Sequence, residues 1–167
     1  MINARDALRR AQAEIPVSPL VKDPLFSIWV DAALGEPQLV CDLLKNPSYW
    51  VIPVLLQERV IGFIQVLGDG RVARFGAFYR DPQQLGSCPL IVTGISAQEA
   101  LSRAKLQAGK QVGETLSQPI YVHNGAPGRE AWLVETLREG KPSRWIFVTA
   151  ALIYERPAGE VRPEGLE

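Results

Sequence analysis

An α+β fold, built as two successive helix-plus-antiparallel-sheet units packed together, is what this sequence predicts, on three observations. A ten-residue helical pattern occurs twice, as INARDALRRA at 2–11 and ISAQEALSRA at 95–104, with six identities at a constant offset of 93. Each copy runs on into short strands rich in aromatic and β-branched residues and separated by turn signals. The chain, 167 residues with 47 % hydrophobic and 22 % charged side chains, has the composition of a globular protein with its own core.

The first helix opens on Asn3, with Asp6 three residues on; the second opens on Ser96 with Glu99, the spacing of a capping box. Ala4, Ala7, Leu8 and Ala11, and likewise Ala97, Ala100, Leu101 and Ala104, fall on one face at helical spacing. Their small size predicts close packing on a sheet. Pro16, Pro19 and Pro24 then mark an irregular connection. Residues 26–45 read as a helix broken at Gly35-Glu36-Pro37, with Leu39, Val40, Leu43 and Leu44 as its apolar stripe. Residues 16–47 are thus expected to be a helical insertion that the second unit lacks.

Strands are predicted over 48–56, 60–67 and 71–79, with a polar turn at Gln57-Glu58-Arg59 and a tight hairpin at Gly68-Asp69-Gly70. Pro53 places the first of these at an edge or a bulge. Strands 48–56 and 60–67 are apolar on both faces rather than alternating, so both faces are expected to be covered. In the second unit strands are predicted over 119–123, 129–137, 143–149 and 151–155, with turns at 124–128 and 138–142. The domain organisation expected is 1–80 for the first unit, 81–94 for a linker, 95–156 for the second unit and 157–167 for a flexible tail.

The second unit resembles the PepSY domain family, through ISAQEALSRA as an opening helix and AWLVETLREGKPSRWIFVT as strand, polar turn and strand. Residues 2–80 are similar to a degenerate copy of the same unit. The resemblance implies a helix packed on an antiparallel sheet, cystatin-like, and an association with protease-inhibitory propeptides and partner- or ligand-binding modules. One departure is Thr149-Ala150-Ala151, where the family carries an acidic turn.

The chemistry-bearing inventory is thin. Lys plus Arg equal Asp plus Glu at 18 each, which argues against a general nucleic-acid binder. His123 is the only histidine, and Cys41 and Cys88 lie far apart, so neither a metal site nor a cofactor is expected. Gly68-Asp69-Gly70 joins strand to strand, whereas a phosphate cradle needs a helix N-terminus after it. The opening MINARDALRRAQAE has no apolar run of signal-peptide length and no stretch approaches a membrane span, so a cytoplasmic location without membrane contact is expected.

The expected function is a non-enzymatic binding or assembly module, engaging a protein or peptide partner, or itself as a homodimer, through a sheet face or edge. Tyr49, Trp50, Trp132 and Trp145 are its candidate binding residues, because tryptophan and tyrosine concentrate at interface hot spots. Packing in the core is the other place for them. Two alternatives compete: a small-molecule carrier with a pocket between the sheet and residues 25–45, and a small cysteine-dependent hydrolase pairing Cys41 or Cys88 with His123.

Overall fold

Both helical patterns form helices, each starting at the capping residue the sequence supplies. In the computed structural model, which describes residues 1–109, 113–124 and 128–159, α1 spans Ala4–Glu14. The Asn3 side chain accepts from the Asp6 N–H at 2.9 Å. The chain divides into two compact units, one holding Met1–Val40 and Pro47–Gly94, the other Cys41–Asn46 and the chain from Ile95 onward. Residues 81–94, expected as a linker, contribute to the first unit: Cys88 is buried and the Pro89 carbonyl accepts from Val60 N–H.

In the first unit α1 is followed by 3₁₀ turns at Pro19–Lys22 and Ser27–Asp31, then β1 (Ala33–Leu34), β2 (Gln38–Cys41, whose last residue belongs to the other unit), β3 (Pro47–Leu56), β4 (Arg59–Leu67) and β5 (Val72–Ala77). β3, β4 and β5 form an antiparallel meander, and β1 pairs antiparallel with β3. The β3–β4 turn is tighter than expected, with only Gln57 and Glu58 at φ of 51° and 61°. Pro53 is expected at an edge or a bulge; the register shifts at Val54/Leu55, with Ile61 of β4 as the extra residue. Ala7 and Ala11 are fully buried against Ile52, Ile64 and Val66. Tyr49 and Val51, on the face away from the helix, are buried as well, as the two-sided apolar pattern required.

The second unit comprises α2 (Ala97–Ala108), β6 (Glu114–Leu116), β7 (Ile120–His123), β8 (Glu130–Arg138), β9 (Lys141–Val148) and β10 (Ile153–Pro157). Successive pairs from β7 to β10 are antiparallel, and β6 pairs with β8. Ala100 and Ala104 pack on Trp132, Val134, Ile146 and Val148. Ser96 caps the helix by accepting from Glu99 N–H. The Glu99 carboxylate accepts from Arg103 instead of closing the second half of a capping box. The expected turn at 124–128 lies partly, and the tail from 160 wholly, outside the described residues.

Residues 16–47 correct the expectation of a helical insertion. Only the two 3₁₀ turns are helical, and Leu39 and Val40 lie in β2 rather than on a helix stripe. A short apolar run has no periodicity of its own to separate helix from strand. Here the neighbouring strands decide, since β2 lies beside β3.

The second unit also has counterparts to most of this stretch. At a constant offset of 82, β1 matches β6: Ala33 and Leu34 pair with Leu55 and Val54 as Thr115 and Leu116 pair with Leu137 and Thr136. Gly35 N–H donates to Pro53 O and Ser117 N–H to Glu135 O, both at 2.9 Å. The bulges at Val54/Leu55 and Thr136/Leu137 keep the same offset. So do the two-residue left-handed turns, Gln57-Glu58 and Glu139-Gly140. Helices correspond at 93 and strands at 82, so the first unit is longer by 11 residues, all between its helix and β1.

Candidate binding edge on the second unit

The aromatic residues singled out by the sequence lie inside the protein. Tyr49, Trp132 and Trp145 are buried and Trp50 is half-buried, so none lines an open groove. The indole N–H groups of the three tryptophans are used internally. Trp50 Nε1 donates to Ile2 O at 3.0 Å, and Trp132 Nε1 donates to Ile95 O at 2.9 Å. Ile2 and Ile95 each precede a helix cap, so each indole ties a helix N-terminus to its sheet. Trp145 Nε1 donates to the buried Glu135 carboxylate, which also accepts from Lys45 Nζ. A buried carboxylate needs such partners.

The hydrolase inventory does not come together as a reactive thiol. Cys41 pairs in parallel register with Val122, and side chains alternate along a strand. Cys41 therefore shares a face with Val122, while His123 faces the other way. Both thiols are buried and free, and desolvation pushes both above the ordinary cysteine value. The expected result is slow alkylation of both by iodoacetamide at neutral pH, quickening only on unfolding or at alkaline pH. Rapid single-site labelling of the folded chain at pH 7 would contradict it. Among the described residues no three His, Cys, Asp or Glu side chains gather as metal ligands would, and no helix is long and apolar enough to cross a membrane.

The junction where the carrier alternative places its pocket is filled by Trp29. Its ring meets Phe26 edge-on at 5.0 Å and Phe75 at 6.0 Å. Its Nε1 donates to the Tyr79 hydroxyl, which donates in turn to Leu25 O.

An open site does appear along β10, which pairs with β9 on one side and, among the described residues, has no strand on the other. Thr149 N–H donates to Leu152 O, and Ala158 N–H to Ser143 O. Antiparallel ladders alternate, so Leu152, Tyr154, Arg156 and Ala158 turn their backbone groups toward β9. Ile153 and Glu155 turn their N–H and C=O outward. Pro157 is the next outward position, where its missing N–H costs the ladder nothing.

Beside this edge runs a groove of about 300 Å³ between α2 and β10. Leu106, Leu152 and Ile153 line it at 85, 66 and 36 % exposure, with Arg103 and Gln107 at its rim. Arg103 donates to Thr149 O and Ala150 O, and Gln107 Nε2 to Glu155, so the helix is fastened to the strand while the apolar side chains stay open. Behind the groove Arg144 joins Glu155 at 2.7 Å to Glu114 at 2.8 Å, and its hydrogen bond holds the Glu114 carboxyl below the usual carboxylate range.

The first unit's outer strand is built differently. A bulge at Gln65/Val66 inserts Ala73 into β5, a device that blunts a sheet edge. The hollow beside α1 is lined by Ile2, Asp6, Arg9, Arg10 and Ala13, largely charged, and Ala13 stands where α2 has Leu106.

Sequence inspection missed Leu106, Leu152 and Ile153. The available signal was Leu106 itself, an apolar residue lying off the alanine stripe of its helix. No protein-family model, no curated protein and no solved structure matches this chain.

Proposed function

We propose that the chain is a non-enzymatic binding module, made of two PepSY-like, cystatin-like units, whose β10 edge takes up one extended strand of a partner protein or peptide. The observation that carries this is the pair of outward-facing backbone groups at Ile153 and Glu155, on an unbulged strand beside an apolar groove. Strand addition of this kind draws affinity from main-chain hydrogen bonds and selectivity from pockets for alternate side chains. Ile153 and Glu155 present their side chains on the α2 side, as the Gln107–Glu155 bond requires. A strand laid beside them directs every second side chain toward Leu106. The equivalence of the two units at matched offsets supports descent from one duplicated unit. Two free, buried thiols support a reducing compartment such as the cytoplasm.

Amide hydrogen exchange on the full chain tests the proposal. In the free chain the Ile153 and Glu155 amides should exchange fast, and those of Tyr154 and Arg156 slowly. Peptides selected from a random displayed library should then protect Ile153 and Glu155, and Leu106→Glu should abolish that protection. Leu106 is exposed, so this change leaves the fold intact. Selected peptides that protect another surface, or a library that yields none, would overturn it.

A further inference from the structure

Arg156 gives the edge a chemical preference. Its side chain lies on the face away from α2, over the rings of Phe147 and Tyr154 at 5.6 Å each. Its Nη1 donates to Asn124 Oδ1 at 3.0 Å, and among the described residues it has no ion pair with a carboxylate. Arg144, by contrast, has Glu114 and Glu155. An edge-strand guanidinium whose described partners are an amide oxygen and two rings is a cation ready for an acid on an incoming strand.

We propose that the strand accepted at β10 is antiparallel and carries an acidic residue opposite Arg156 and, three residues later, an apolar residue opposite Ile153. This rests on the edge-binding function above and names the chemistry of its partner. The register follows from strand geometry. Residues directly opposite one another share a face, so the acid lies on the Arg156 side and the apolar residue on the Leu106 side.

The described β10 edge of a second copy does not supply that acid. In an antiparallel pairing of two β10 edges, the described residues able to oppose Arg156 are those with inward-turned backbone: Leu152, Tyr154, Arg156 and Ala158. None is acidic. The occupant favoured is thus an acidic, apolar segment of another protein.

The test uses fluorescein-labelled Thr-Thr-Glu-Ser-Tyr-Leu-Thr-Val and its Glu→Gln and Glu→Lys forms, titrated by anisotropy against the unaltered full chain at low salt. Direct cross-strand charge pairs are worth up to about 1 kcal/mol, so the glutamate form should bind about fivefold tighter than the glutamine form. The lysine form should be weaker still, and added salt should narrow the spread. Arg156→Glu should reverse the order. Equal binding of all three, with Ile153 and Glu155 protected, would overturn the acidic preference and leave edge binding standing. Protection of those amides in a dimer of the free chain would overturn it in favour of a second copy. Absence of both binding and protection would overturn edge binding itself.

Discussion

Replacing Trp29 by alanine is expected to destabilise the first unit by about 3–5 kcal/mol, the range for deleting a large buried aromatic. Trp29 is 2 % exposed and belongs to the same buried cluster as Ile52, Ile61 and Ile64. Its loss removes the packing on Phe26 and Phe75 and the hydrogen bond to Tyr79. Trp29→Phe keeps much of the volume and loses chiefly the bond, so it should cost less, about 1–2 kcal/mol. Urea denaturation gives the totals. Hydrogen exchange at Ile52 and Ile64, set against Val134 and Ile146, shows whether the loss falls on the first unit. A cost below about 1 kcal/mol for the alanine variant would mean that Trp29 is not a core residue.

The second large effect sits across the same contact. Gly62→Val should cost about 3 kcal/mol or more, at the upper end of overpacking. The backbone there needs no left-handed conformation, so the cost is one of space. A Cβ on Gly62 would lie 2.4 Å from Gly76 O and 2.5 Å from Trp29 Cζ2. The carbonyl belongs to β5 and cannot retreat without opening the β4–β5 ladder. The indole is held by Tyr79. Combining Gly62→Val with Trp29→Leu should cost less than the two singly, since the double variant relieves the ring clash. Strict additivity in denaturation experiments would contradict direct contact.

These two residues also explain how the units diverged. At the strand offset of 82, Gly62 corresponds to Arg144. The first unit uses its 11 additional residues to bring Trp29 onto the sheet, and glycine makes room for the ring. The second unit has no such segment, and Arg144 fills the place with a bridge between Glu114 and Glu155. One position thus serves a dry core in one unit and the support of an open edge in the other.

The recurring helix pattern, its caps and its alanine face were legible in the sequence, because caps and 3.6-residue spacing are local signals. The Asp69 turn was legible for the same reason, since it depends on a few adjacent residues; the hairpins at 57–58 and 139–140 were legible only as longer polar turns, and Pro53 only as an edge or a bulge. Residues 38–45 were not, because the strand state of Leu39 and Val40 depends on a neighbouring strand rather than on periodicity. The tryptophans marked apolar strands correctly, but sequence could not say that their indoles would be spent on Ile2, Ile95 and Glu135. The open edge was equally hidden. Which backbone groups of β10 face outward follows from its register with β9, and the exposure of Leu106 follows from where α2 rests on the sheet. By itself the sequence determined the α+β class and the two helix-and-hairpin units, since these are written in short-range patterns. Only the tertiary structure decided which aromatics are core and which strand is left unpaired, since both depend on contacts between residues far apart in the chain.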